Sequence, residues 1–129
     1  MIVADASVLA DALYDNTARG ERARNALTGH PIHVPDLIYA EIGNVLRRRL
    51  QSATQPAVDI AVIALVSAPW TVHAIAPLVA RALDFRANTT AYAATYIALA
   101  ERLACPFITG DAKLINGVQG HSCPMILHR

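Results

Sequence analysis

The chain has 129 residues, of which 54% are hydrophobic, and its 11 basic residues nearly balance its 10 acidic ones. This length suits one domain with a sizeable core, so we expect residues 1–129 to form a single domain. A net charge of +1 excludes the broadly basic surface of a protein that coats nucleic acid. Polar residues interrupt each apolar run before it reaches the length of a membrane span, and no basic leader precedes the first run. We therefore expect a cytoplasmic protein with no membrane association.

Strand-like and helical patterns alternate along the whole chain, which is typical of a single α/β layer fold. The strand-like segments are 1–4, 32–34, 70–75, 106–109 and 124–127, the last of which is expected at a sheet edge. The helical segments are a short helix after the turn at 5–7, then 17–27, 36–51, 56–67, 77–85 and 90–103, and a final turn at 111–115. Apolar residues recur at helical spacing in 36–51, and Thr90 is placed to cap the helix that follows it.

Three carboxylates are placed where such a sheet would bring them together. Asp5 closes the first strand, and Asp111 follows the strand 106–109. Ligands of open parallel sheets bind beyond the carboxyl ends of the strands. Glu41 lies in the helix 36–51, at the border of its apolar stripe. Oxygen ligands without a cysteine or histidine cluster favour a hard cation, so the pattern predicts a site for Mg²⁺ or Mn²⁺.

Each acid also has a purely structural explanation. Asp5 and Asp111 could serve as N-caps of the helices that follow them. Glu41 could form an ion pair with Arg48 or Arg49. The arginines at 47–49 suit phosphate contacts, but a solvated helix face is the favoured explanation for them.

Three polar residues near the acids are candidates for positioning a water molecule or a substrate phosphate. Ser7 and Thr109 bring hydroxyl groups to the ends of the two strands, although such residues are common in turns and caps. Asn44 shares the helical face of Glu41 because it lies three residues further along. The five histidines are scattered, which argues against zinc, and Cys105 and Cys123 are expected to be buried free thiols.

Four blocks of the sequence, in order and at familiar spacing, resemble the PIN domain and in particular the VapC-type toxins of bacterial toxin–antitoxin pairs. The blocks cover residues 1–9, 35–46, 91–103 and 107–114. The resemblance implies a three-layer α/β/α sandwich around a mostly parallel sheet of about four to five strands. It also implies a metal-dependent endoribonuclease, a homodimer, and an antitoxin that covers the active site.

The resemblance assigns roles to individual residues and exposes one departure. Asp5, Glu41 and Asp111 match three of the family acids, and Ser7 and Thr109 match the hydroxyl residues beside the first and the last. The family usually has an aspartate after the tyrosine of the third block, where this chain has Ala93. Either the gene has degenerated, or the alanine was placed there to disarm a toxic enzyme. The otherwise intact pattern favours the second explanation.

Three functions follow from these patterns. The first is a metal-dependent ribonuclease toxin, impaired by Ala93. The second is a non-catalytic module with the same fold that sequesters an antitoxin or RNA. The third is a phosphoreceiver-like domain, which ranks well below the others because Asp5 stands alone after the first strand and nothing acidic follows the segment 70–75 until Asp84.

Overall fold

The sheet is five-stranded and entirely parallel in the computed structural model, which describes all residues from 1 to 129. Its strands are β1 (Ile2–Ala4), β2 (Ile32–Pro35), β3 (Thr71–His73), β4 (Phe107–Thr109) and β5 (Met125–Leu127). Its helices are α1 (Ala6–Tyr14), α2 (Ala18–Leu27), α3 (Ile38–Arg49), α4 (Gln55–Val66), α5 (Val79–Leu83), α6 (Ala91–Leu103) and α7 (Ala112–Gly117), with a 3₁₀ turn at Ala76–Leu78. The expected three-layer α/β/α sandwich is confirmed.

The order of the strands changes direction at β1, and this positions the functional site. The sheet order is β3-β2-β1-β4-β5, so the chain builds outward from β1 on one side and then returns to add β4 and β5 on the other. Val3 pairs with His33 of β2 and with Phe107 of β4. Such a switch point leaves a crevice beyond the carboxyl ends of the two central strands.

Helix α6 is the central helix of the core. All seven of its residues from 94 to 100 are buried, and it contacts β1, β2, β4 and α5. Tyr96 stacks on Phe107 of β4, with the ring centroids 5.8 Å apart. Its exposed residues lie only near its ends, as at Tyr92, whose side chain is 67% exposed. The helix is therefore held rigidly from its second turn onward, while its first turn faces solvent.

The element boundaries follow local signals closely. Thr17, Thr54 and Thr90 each cap a helix through a side-chain oxygen, and Gly29 adopts a positive φ of 81° after α2. The helix expected at 77–85 is split into a 3₁₀ turn and the short α5. The strand expected at 70–75 keeps only three residues, because β3 pairs only with β2 at the sheet edge.

The expectations for β5 and for the two cysteines are met. Strand β5 lies at the opposite edge of the sheet, and both cysteines are buried and unpaired. None of the helices combines the length and the apolarity that crossing a bilayer requires. Several apolar side chains of α4 are nevertheless exposed, among them Ile60, Ile63 and Val66.

We expect Leu99→Ala to lower the free energy of unfolding by about 2–5 kcal/mol, because Leu99 is only 1% exposed in the centre of α6 and its truncation leaves a cavity. Urea denaturation measures the effect. Ile60→Ala is the matched control, since this side chain is 70% exposed, and it should change stability by about 0.5 kcal/mol or less. Equal losses in the two variants would contradict the central position of α6.

Candidate active site

The three acids named from the sequence line one open cavity of about 410 Å³ at the switch point. Asp5 follows β1 and Asp111 follows β4, so both stand at the same edge of the sheet. Glu41 reaches the cavity from α3, the helix that follows β2. The other candidate residues in its lining are Ser7, Asn44 and Ala93. The structure thus brings together residues that are more than 100 positions apart in the chain.

Asp5 is held by hydrogen bonds to both of its carboxylate oxygens. Oδ1 accepts from the Ser7 hydroxyl at 2.8 Å and from the Val8 amide at 3.1 Å, so Asp5 is also the N-cap of α1. Oδ2 accepts from the Thr109 hydroxyl. Thr109 is fully buried, and its hydroxyl oxygen accepts in turn from the Asp111 amide at 3.1 Å. The hydroxyls of Ser7 and Thr109 therefore orient the Asp5 carboxylate.

Asp111 also combines a cap with a side chain in the cavity. Its Oδ1 accepts from the Leu114 amide at 3.1 Å at the start of α7. Its Oδ2 receives no hydrogen bond from the protein and remains available to a ligand. The structural explanation for Asp5 and Asp111 is thus correct, and it does not compete with a role at the cavity.

Glu41 is bound by a tyrosine and not by an arginine. The Tyr96 hydroxyl donates to Glu41 Oε1 at 2.6 Å across 55 positions of sequence. Neither Arg48 nor Arg49 forms an ion pair with it, so that structural explanation for Glu41 is wrong. The role of Tyr96 was not predicted from the sequence. A tyrosine in a helix otherwise rich in alanine was the available signal, because a buried phenol needs a hydrogen-bond partner.

Burial raises the pKa of both inner carboxyl groups. For Asp5, desolvation outweighs the hydrogen bonds from Thr109 and Ser7, which lower the pKa. For Glu41, desolvation raises the pKa, the Tyr96 hydrogen bond opposes this, and the nearby charge of Asp5 raises it further. The pKa of the Tyr96 phenol is raised in turn by burial and by Glu41. The cavity therefore holds acids whose ionised forms have no cationic partner.

The oxygen donors of the cavity suit a hard cation, but the three acids are not close enough together for all of them to contact one ion. No three histidine, cysteine or acidic side chains lie close enough together to hold one ion directly. The three carboxylates nevertheless share a cavity and supply only oxygen atoms, and Asp111 has an oxygen without a protein partner. Mg²⁺ commonly keeps several of its waters and binds through one or two carboxylates. The residues fit an ion with one or two direct carboxylate contacts, in which any other acid would act through water.

Comparison with known proteins identifies the family. The PIN domain matches residues 2–117. This chain belongs to the PIN-domain family. Ribonuclease VapC9 of Mycobacterium tuberculosis is 35% identical over 127 residues, covering 97% of this chain and 96% of that protein. Ribonuclease VapC1 of the same organism is 34% identical over 116 residues, covering 87% of this chain and 86% of that protein.

Solved structures confirm the PIN fold. VapC20 of Mycobacterium tuberculosis, described as a sarcin–ricin loop cleaving toxin, superposes with a TM-score of 0.67 at 19% identity and covers 95% of this chain and 100% of its own. A toxin–antitoxin complex from Klebsiella pneumoniae contains a chain with a TM-score of 0.66 at 15% identity, covering 100% of this chain and 98% of that one. At these identities the likeness concerns the fold.

The PIN-domain cavity includes the position of the sequence departure. Ala93 lies in the first turn of α6, where its amide donates to the Thr90 cap at 3.2 Å. Its side chain is partly buried and lines the same cavity as the three acids. A carboxylate at position 93 would therefore enter this cavity and not the core. Alanine is compatible with the helix, so the fold does not depend on an acid there.

A second polar cluster adjoins the site of this PIN domain and was not foreseen. The His128 amide donates to the Thr109 carbonyl at 2.8 Å, which ties the end of β5 to β4. His128 Nε2 is buried without a hydrogen-bond partner and lies 3.5 Å from Asp11 Oδ2, which also accepts from Arg19 Nε at 2.7 Å. These contacts join α1, α2 and the end of the chain behind the acids. No local pattern in the sequence indicates them.

We expect Glu41→Gln to raise stability at neutral pH when a chelator removes divalent ions. The folded pKa of Glu41 lies above its unfolded value of 4.5, so the folded state binds more protons in that window and loses stability as the pH rises through it. Glutamine cannot ionise, and its amide oxygen can still accept from Tyr96.

Urea denaturation at neutral pH and below pH 4.5 measures this effect, which should vanish in the acidic condition. Glu21→Gln is the control, because Glu21 is an exposed acid on α2. A Glu41→Gln protein that is less stable than the parent at neutral pH would show that the ionised carboxylate is well accommodated.

Proposed function

We propose that the chain is an RNA-cleaving nuclease of the VapC class, that it acts as the toxin of a toxin–antitoxin pair, and that Ala93 impairs its activity. One observation carries the proposal: three carboxylates without a cationic partner line a single cavity at the switch point of a PIN domain. Relatives at 34–35% identity that are named VapC ribonucleases support the choice of RNA as substrate.

The residues at the site have two proposed roles. Some would bind the cation, and others orient the side chains that bind it. Asp5, Glu41 and Asp111 are proposed to hold Mg²⁺ or Mn²⁺, which when bound would neutralise charge on a phosphodiester and lower the pKa of a bound water. Thr109 and Ser7 fix the rotamer of Asp5 through its two oxygens.

Glu41 is oriented in the same way from the opposite side of the cavity. Tyr96, buried in α6, donates to Glu41 Oε1 at 2.6 Å and so orients the carboxylate. Arg48 lines the cavity without a carboxylate partner, so its guanidinium is available to a substrate phosphate. Asn44 lies on the same helix and is proposed to help position the substrate.

The second candidate function is a non-catalytic binding module. The observation that favours it is Ala93 itself, since the fourth acid of the resembling family is absent from this position in the cavity. Such a module would retain the fold and the surfaces that bind RNA or an antitoxin, and it would lack cleavage under any metal condition.

We expect Ala93→Asp to raise ribonuclease activity on total RNA, in Mg²⁺ or Mn²⁺, by about 10–100-fold, the range commonly lost when a metal site loses a ligand or a group that orients one. A fourth carboxylate in the cavity should strengthen cation binding. The activity should disappear with a chelator.

The double variant Ala93→Asp/Asp5→Ala is the control for contaminating nuclease and should be inactive. Asp59→Asn changes an exposed acid on α4 and should leave the activity of Ala93→Asp unaltered. If Ala93→Asp is as inert as the parent chain, both on RNA and in growth arrest, the binding-module function replaces the nuclease.

The chain is also proposed to bind a cognate antitoxin and to form a homodimer. A surplus of acid without a counter-ion favours an antitoxin segment that inserts an arginine or lysine into the cavity, with α3 as one wall. The exposed apolar side chains of α4, Ile60, Ile63 and Val66, indicate a further surface that a partner would cover.

We expect the product of the adjacent gene to co-purify with the chain and to bind less tightly to Glu41→Gln, because the cavity then carries less negative charge. Isothermal titration measures the affinity, and sedimentation measures the oligomeric state of the toxin alone. Absence of binding would remove the antitoxin from the proposal, and a clean monomer at high concentration would remove the homodimer.

A further inference from the structure

A second cavity of about 590 Å³ adjoins the acids, on the side of α3 that faces the start of α6. It shares Glu41, Asn44 and Tyr92 with the acid cavity, so the two form one continuous depression. Its remaining lining includes Leu37, which is the N-cap of α3, and Arg47, which lies in the last turn of the same helix. Cavities of roughly 300–1,000 Å³ hold small organic ligands, a range that includes a nucleotide.

Tyr92 stands between the two cavities with its ring largely free. Its side chain is 67% exposed, it forms no side-chain hydrogen bond, and it belongs to none of the aromatic pairs of the structure. Tyr96, one turn later, is buried and committed to Glu41. An exposed aromatic ring beside a groove is the group on which proteins stack the unpaired bases of single-stranded nucleic acid.

Arg47 supplies a positive charge at the same cavity. Its Nε donates to Asn44 Oδ1 at 3.1 Å, which fixes the direction of the guanidinium. It forms no ion pair with a carboxylate, so its terminal N–H groups are free to bind a phosphate in bidentate fashion. Favourable interaction with the C-terminal end of the α3 dipole explains the presence of an arginine there. It does not explain an exposed tyrosine on another helix at the same cavity.

We propose that this second cavity is a nucleotide subsite for single-stranded RNA, in which Tyr92 stacks on an unpaired base and Arg47, held by Asn44, contacts a backbone phosphate. The subsite would hold a nucleotide next to the phosphodiester that lies at the acids. This inference rests on the proposed function, since it assigns the form of RNA that the site accepts, and it makes Tyr92 and Arg47 positioning residues and not catalytic ones.

The test uses the 129-residue chain with Ala93 in the presence of a chelator, so that binding is measured at equilibrium without cleavage. Fluorescence anisotropy follows a labelled single-stranded RNA of about 10 nucleotides and an oligomer of the same length that has the sugar–phosphate backbone but no bases. Tyr92→Leu should weaken binding of the RNA about 10-fold and leave binding of the base-free oligomer unchanged. Tyr92→Phe keeps the ring and should bind like the parent.

Arg47→Gln should weaken binding of both oligomers and reduce the slope of log affinity against log salt by about 0.7, the value for one phosphate contact on a single strand. Arg22→Gln, at an arginine of α2 that lines neither cavity, is its matched control and should leave binding to both oligomers unchanged. In the Ala93→Asp background, Tyr92→Leu should raise KM far more than it lowers kcat, because it removes binding away from the reacting phosphate.

The possible outcomes separate the subsite from the nuclease. If Ala93→Asp cleaves RNA while Tyr92→Leu and Arg47→Gln alter neither affinity nor KM, the subsite is wrong and the nuclease stands. If Ala93→Asp is inert but Tyr92→Leu still weakens RNA binding selectively, the subsite stands in a protein that only binds RNA. Equal weakening of both oligomers by Tyr92→Leu, or no binding of the parent to either, overturns the subsite.

Discussion

The acids Asp5, Glu41 and Asp111 form no ion pair within the protein, and the surrounding structure holds their carboxylates in place. Asp5 and Glu41 are partly buried at one cavity, and desolvation raises the pKa of both carboxyl groups. A bound cation relieves that cost, whereas hydrogen bonds from neutral groups only reduce it. The donors that the fold supplies to Asp5 and Glu41 are the hydroxyls of Thr109, Ser7 and Tyr96 and the Val8 amide. All are uncharged, so they orient the acids without neutralising them.

Two of these hydroxyls belong to residues that are packed in the core. Thr109 is the last residue of β4, paired with β5 and fully buried, and Tyr96 lies in the middle of α6, where residues 94–100 are all buried. Neither residue can move without disturbing the packing of the sheet. The site therefore inherits its rigidity from the core, while its ligand-facing atoms, such as Asp111 Oδ2, lie at the surface of the fold.

The fold around position 93 does not require an acidic side chain. The first turn of α6 is secured by the Thr90 cap, which needs only the backbone amide of residue 93. The side chain at this position borders the cavity and packs against the core only at its Cβ. The fold thus depends on the backbone amide of residue 93, and its side chain is free to vary at the cavity without disturbing the helix.

The sequence by itself determined the α/β class, the order of the elements and the acids at the strand ends, because periodicity, caps and turn residues act over a few neighbouring positions. Asp5 and Asp111 lie at the same edge of the sheet because the carboxyl ends of parallel strands lie side by side. Glu41 lines the same cavity from α3. Only the tertiary structure decided that Glu41 is bound by Tyr96 and not by Arg48, that His128 lies beside Asp11, and that Tyr92 remains exposed between two cavities. Those contacts join residues far apart in the chain, and their geometry depends on how helices pack across the sheet, which no local pattern encodes.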